Sequence, residues 1–153
     1  GAKLANPDKQ VVGIVGDGAF LMTCMEMMTA SVENLDVVYF VFYDGELAQI
    51  AQGQEIPYNR KTCTILGNIG LQGVADAVGA RYLCLSSNDD IEAVMDEALG
   101  PTTAKGPVIV DVKIDYSKRT RFTQGVVKAV SSRLPLGEKM RFVGRALLRK
   151  VTG

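Results

Sequence analysis

The stretch that most constrains the fold is VVGIVGDG at residues 11–18, followed at once by a helix-period run that opens near Phe20. A β-branched run that halts at Gly-Asp-Gly and gives way to 3.6-residue periodicity is a strand passing through a glycine turn into a helix N-terminus. The first backbone N–H groups of a helix have no partner within it, and the aligned peptide dipoles add partial positive charge there. Such a corner favours an anion such as phosphate. Asp17 stands inside that anion site. Its carboxylate repels the ligand unless a cation lies between them, so the pattern calls for phosphate together with a hard, oxygen-seeking metal such as Mg²⁺. Taken alone, Gly-Asp-Gly is also what an ordinary turn looks like, and that reading stays open at this point.

A second run sharpens the expectation. Residues 36–43, DVVYFVFY, are almost continuously β-branched and aromatic, as in a central parallel strand buried on both faces, and they end at Asp44-Gly45. Two parallel strands joined by a helix bring their C-terminal ends to one edge of the sheet. Ligands of open α/β sheets bind at that edge, so Asp17 and Asp44 are expected to converge on one cation although they are far apart in the chain.

The remaining pattern extends the same architecture. Residues 47–59 are glutamine-rich and read as a short helix and then a loop. Residues 71–78 read as a helix with Gly79 as its C-cap, and 80–85 as a short strand. Ser87-Asn88-Asp89-Asp90 caps a helix over 91–99, and Gly106-Pro107 introduces a strand over 108–112. Strands alternating with helices predict an α/β fold: a doubly wound, mostly parallel sheet with helices on both faces. Met22, Met25 and Met28 recur at helical spacing and are expected to pack in the core, with Glu26 on or beside their stripe. Residues 1–5 resemble the last turn of a helix that has been cut through, stopped by Asn6-Pro7-Asp8, so the chain is expected to be a fragment or one part of a larger polypeptide.

Size and charge set further bounds. With 153 residues, 47% of them hydrophobic, the chain can form one domain with a real core and a tail, predicted here as 1–114 and 115–153. Formal net charge is zero, yet residues 115–153 hold ten Lys/Arg against Asp115 and Glu138 alone, including Lys118, Arg119 and Arg121. The tail is basic and is predicted to end in a helix over 138–150, with Met140, Val143, Leu147 and Val151 on one face and Arg141, Arg145 and Arg149 in a row. The expected arrangement is an amphipathic helix docked on an acidic body. No whole-molecule field points to nucleic acid, and no apolar run is long enough to span a membrane. Cys24, Cys63 and Cys84 are odd in number and lack CxxC spacing, which fits a reducing cytoplasm better than a disulfide framework or a zinc site. There is no histidine, so Ser-His and Cys-His nucleophile systems are excluded; any chemistry must use carboxylates, backbone, a metal or a cofactor.

Gly16-Asp17-Gly18-Ala19-Phe20-Leu21-Met22, then Glu26, Thr29-Ala30 and Glu33-Asn34-Leu35, then the buried strand and Asp44-Gly45, resemble the motif of the C-terminal, diphosphate-binding domain of thiamin-diphosphate-dependent enzymes. Among these the chain is most similar to the large subunit of acetolactate (acetohydroxyacid) synthase. The resemblance runs to about Val112. It implies Asp17 and Asp44 as side-chain ligands of Mg²⁺, with the main-chain carbonyl of Glu46 as the third protein ligand. The backbone near Gly16, Gly18, Ala19 and Phe20 would hold the diphosphate of thiamin diphosphate, and Leu47 and Ala48 would line the same pocket. It also implies decarboxylation or carboligation of 2-oxo acids such as pyruvate in a homo-oligomer, beside a pyrimidine-binding domain of the same or a neighbouring chain.

The sequence departs from the family in three ways. The motif usually closes in Asn-Asn, whereas here the pair is Tyr43-Asp44, replacing a neutral amide ligand by a carboxylate. That exchange is expected to tighten divalent-ion binding and weaken the preference for diphosphate. The family's glycine-rich segment ahead of this motif is missing, and so is the glutamate that activates the thiamin ring, which belongs to another domain. No residue here is therefore expected to be catalytic, and the chain alone is expected to be inactive. The alternatives are a non-catalytic α/β assembly or partner-binding module, and a flavodoxin-like or receiver-type domain. The last also places acids at a sheet edge but does not account for the paired GDG and DG ends.

Overall fold

A computed structural model describes residues 1–100, 105–116 and 132–152. The chain forms two compact units, Gly1–Gly45 with Asn68–Ile114, and Glu46–Gly67 with Asp115–Gly153.

The first unit is an α/β sandwich built on a four-stranded sheet. Its elements in chain order are α1 (Ala2–Ala5), β1 (Val11–Gly16), α2 (Asp17–Thr23), α3 (Met27–Val32), β2 (Val37–Phe42), α5 (Leu71–Val78), β3 (Arg81–Leu85), α6 (Ile91–Leu99) and β4 (Val108–Val112); α4 (Ala48–Tyr58) belongs to the second unit. The strand order is β1-β2-β4-β3 and every pairing is parallel, so all four C-terminal ends lie at one edge. The order also explains why helices cover both faces. The crossovers β1→β2 and β2→β3 run in one direction across the sheet, and β3→β4 runs back. A right-handed connection therefore puts α2, α3 and α5 on one face and α6 on the other.

Each face has its own apolar core. Phe20, Cys24 and Met27 meet Val41, Ile109, Leu71, Ala75 and Val78 on the first face, and Val94 and Ala98 of α6 meet Val38, Phe40, Val108, Val110 and Val112 on the second. All five residues of β4 are buried and β2 contributes to both cores, as expected for strands covered on both sides. The predicted caps are present. Gly79 adopts φ +69° at the end of α5, and Ser87 and Asp90 form a reciprocal capping box ahead of α6.

The methionine stripe is where the structure corrects the sequence expectation. Met22, Met25 and Met28 are 79%, 56% and 46% exposed. The row facing the sheet is Phe20, Cys24 and Met27, continued by Ser31, whose hydroxyl donates to the Val78 carbonyl at 2.6 Å. Both rows have helical spacing, so periodicity alone does not tell them apart; the row that meets the sheet is the one carrying Phe20, whose ring packs against that of Tyr39 on β2. The helix also starts at Asp17 instead of near Phe20 and tightens into a 3₁₀ turn at Cys24–Glu26 before α3; Glu26 is exposed.

The second unit contains α4 (Ala48–Tyr58), ended by Asn59 in the left-handed region, and α7 (Leu136–Thr152), which packs against α4. The stretch after α4 returns to its start: Ile65 bridges Glu46 in antiparallel fashion and the Leu47 amide donates to the Thr64 carbonyl at 2.7 Å. The predicted terminal helix is thus present and begins two residues early. Met140, Val143, Leu147 and Val151 are exposed on it. The run Lys118, Arg119, Arg121 and the side chain of Arg149 lie outside the described residues.

Candidate functional site

Parallel register places the two glycine turns side by side. Gly16 pairs with Phe42 at the ends of β1 and β2, so Asp17 and the Tyr43-Asp44-Gly45 turn emerge next to each other at the carboxyl edge. Asp17 is 3% exposed. Its Oδ1 accepts the Gly18 amide and its Oδ2 accepts the Gly45 amide, both at 2.7 Å. The second bond spans the two turns and needs Gly45 at φ +72°, a conformation that side chains beyond glycine adopt at a cost. No lysine or arginine among the described residues is ion-paired with Asp17. A buried carboxylate held only by two backbone amides is undercompensated, and each of its oxygens retains lone-pair capacity for a metal. Asp44 is exposed on the neighbouring turn.

The other expected site residues divide. A Cβ on Gly16 would meet nothing within 4 Å, so the backbone there is open to a ligand. Ala19 is exposed in the first turn of α2, while the Gly18 amide is engaged by Asp17. The Phe20 side chain is buried in the core, its ring 6.1 Å from that of Tyr39, which leaves only its backbone for a cofactor. Glu46, Leu47 and Ala48 belong to the second unit. There the Glu46 carboxylate accepts Lys61 Nζ at 2.9 Å and Thr64 Oγ1 at 3.0 Å, and the hydrogen bond from Lys61 holds its pKa below the usual carboxylate value against the opposing effect of burial. Its carbonyl accepts the Ala48 amide at 2.8 Å. Among the described residues no three His, Cys, Asp or Glu side chains cluster as a metal site, so a cation here would rest on few protein side chains. Cys24, Cys63 and Cys84 are free thiols, and no described helix is long and apolar enough to cross a membrane.

Sequence reasoning missed a polar group beside this corner. Asp111, in the otherwise apolar strand VIVDV, is 3% exposed; its Oδ2 accepts Tyr82 Oη at 2.9 Å and Lys113 Nζ at 2.6 Å, while Oδ1 is buried without a partner among the described residues. Burial, and then the hydrogen bond to the Asp111 carboxylate, push the Tyr82 phenol well above its usual pKa. Lys113 Nζ also lies 5.6 Å from the centroid of the Tyr43 ring. The only sequence signal was a lone acid inside a buried strand.

A family profile described as "Thiamine pyrophosphate enzyme, C-terminal TPP binding domain" matches residues 1–112. The acetolactate synthase of Bacillus subtilis (strain 168) is 34% identical over 92% of this chain, which spans 23% of that relative. Acetolactate synthase isozyme 1 large subunit of Escherichia coli (strain K12) is 31% identical over 78% of the chain, which spans 21% of it. The chain is thus about a quarter of such relatives or less. Among solved structures, the Rhodococcus jostii RHA1 thiamine diphosphate-dependent 4-hydroxybenzoylformate decarboxylase superposes with a TM-score of 0.69 at 23% identity, over 77% of this chain and 22% of that one, a likeness of fold. With its parallel β1–β2 pair joined through Asp17 and a family match covering the whole strand–helix body, this chain belongs to the C-terminal thiamine-pyrophosphate-binding domains of thiamine pyrophosphate enzymes.

Proposed function

We propose that this chain anchors the diphosphate end of thiamin diphosphate through Mg²⁺, as the corresponding domain of an acetolactate synthase-like enzyme acting on 2-oxo acids such as pyruvate. The observation that carries the reading is Asp17: a buried carboxylate, tied to the neighbouring turn by the Gly45 amide and without an ionic partner among the described residues, is suited to a divalent cation. In this reading Asp17, Asp44 and the Glu46 carbonyl hold Mg²⁺. The backbone at Gly16, Gly18, Ala19 and Phe20 binds the diphosphate, and Leu47 and Ala48 line the pocket. Magnesium keeps several positions for diphosphate oxygens and water, so a small set of protein oxygens suffices. The Gly18 amide is engaged by Asp17 here and would have to be shared with or released to a diphosphate oxygen.

When bound, thiamin diphosphate supplies carbanion stabilisation for decarboxylation and carboligation. This chain binds and orients the cofactor and has no group that activates the thiamin ring. A pyrimidine-binding domain of the same or a neighbouring chain, in a homo-oligomer, completes the enzyme. The residues 1–114 are the binding domain and 115–153 the basic tail. The three free thiols favour a reducing, cytoplasmic setting.

Titration calorimetry with Mg²⁺ and thiamin diphosphate tests the reading. Binding that disappears in Asp17→Ala supports it. A folded chain that binds neither is instead a non-catalytic α/β module.

A further inference from the structure

The four parallel strands bring a line of polar groups to the carboxyl edge that neither the fold nor the metal requires by itself. Starting from the metal corner, Asp17 Oδ2 accepts the Gly45 amide at 2.7 Å. The Tyr43 phenol folds back against Gly45: a Cβ built there would lie 3.6 Å from Tyr43 Oη and 3.8 Å from its Cζ. Tyr43 Oη in turn accepts the Ile69 amide at 3.3 Å, just before α5. Lys113 Nζ, at the end of β4, sits 5.6 Å from the Tyr43 ring centroid and 2.6 Å from Asp111 Oδ2. Asp111 accepts Tyr82 Oη of β3 through the same oxygen. The line thus crosses β1, β2, β4 and β3, all within one compact unit.

A buried carboxylate in a central strand is costly, and among the described residues its Oδ1 has no partner, so stability alone is a poor reason for Asp111. What it does is hold the flexible Lys113 side chain, half exposed, in one place. The cation then faces the electron-rich ring of Tyr43. The phenol end of Tyr43 lies beside Gly45, in the turn whose Gly45 amide and Asp44 carboxylate are the second half of the proposed metal corner.

We propose that Tyr43, Lys113 and Asp111 are positioning residues that fix the Asp44-Gly45 turn against Asp17 and so set the affinity for the divalent ion and its diphosphate. The inference rests on the cofactor reading above. The three side chains act in series, each through the next.

The test is titration of the full 153-residue chain with Mg²⁺ in the presence of excess thiamin diphosphate, with circular dichroism to show that each variant is folded. Lys113→Met is expected to weaken Mg²⁺ affinity about tenfold, as loss of an outer support does at metal sites. Lys113→Arg, which keeps a cation over the ring, restores most of it. Because removal of Lys113 alone leaves Asp111 as an uncompensated buried charge, the neutral pair Asp111→Asn/Lys113→Met is measured as well and is expected to show the same loss. Tyr43→Leu combined with Lys113→Met is no weaker than the poorer single variant, since both interrupt one line. The inference is overturned by wild-type affinity in folded Lys113→Met and in the neutral pair, or by losses of Tyr43→Leu and Lys113→Met that simply multiply. A folded wild-type chain that binds no cofactor overturns the underlying cofactor reading, and this inference with it.

Discussion

Replacing Asp17 by alanine tests the corner twice, once in the free protein and once with ligand. In the free protein the substitution leaves the Gly18 and Gly45 amides without their carboxylate acceptor. Hydrogen bonds to a charged acceptor contribute about 1.5–3 kcal/mol each, so the gross loss is about 3–6 kcal/mol. Part of this is offset, because the carboxylate is 3% exposed and has no cationic partner among the described residues, and its removal relieves a desolvation cost of several kcal/mol. A net destabilisation of about 2 kcal/mol follows, equivalent to a fall in Tm of about 8 °C for a chain of this size. With ligand at about 100 times its Kd, the wild type gains about 2.7 kcal/mol by mass action, and its Tm rises by a comparable amount. The variant gains nothing, since its first metal ligand is gone. Thermal melts followed by circular dichroism, with and without Mg²⁺ and thiamin diphosphate, read both quantities. An unchanged Tm in the free variant refutes the bridging role of the carboxylate between the two turns; an undiminished ligand-induced shift refutes its role as a metal ligand.

Asp44→Asn restores the neutral amide usual in the family and is expected to weaken Mg²⁺ binding while strengthening the preference for diphosphate; calorimetric titration of each ligand checks this, and unchanged affinities for both count against it. Gly13→Ala places a Cβ 2.6 Å from Cδ1 and Cε1 of the Tyr39 ring, so overpacking is expected to cost about 1–3 kcal/mol in urea unfolding, with the loss largely recovered when Tyr39 is replaced by a smaller residue. Tyr82 has its pKa raised above the ordinary 10.0 by burial and then by Asp111, so its contribution to stability is fully present below pH 10.0 and is lost as pH rises from there through the folded-state value. Tyr82→Phe is therefore expected to flatten the alkaline limb of the stability profile, and an alkaline limb of the same slope in both proteins would contradict the assignment.

The family and the fold class were legible because they rest on local chemistry. Gly16-Asp17-Gly18 closes a β-branched run, Asp44-Gly45 closes the next, and a helix between them makes the strands parallel and their ends adjacent. Caps at Gly79 and at Ser87 with Asp90 were readable for the same reason: a cap is satisfied by residues next to it in the chain. Three things were decided only by packing. The rotation of α2 and α3 was set by which row of a two-sided apolar helix met the sheet, so Phe20, Cys24 and Met27 are buried and Met22, Met25 and Met28 are not. Helical spacing in α7 did not itself say which element it meets; within its unit it packs against α4. The link from Asp111 through Lys113 to Tyr43 joins residues far apart in the chain, and no periodicity or motif marks it. Sequence by itself thus determined the strand ends and their chemistry, because backbone geometry carries those. Which side chains meet across the sheet was left to the strand order, β1-β2-β4-β3, which brings β4 beside β2 and exists only once the crossovers have closed.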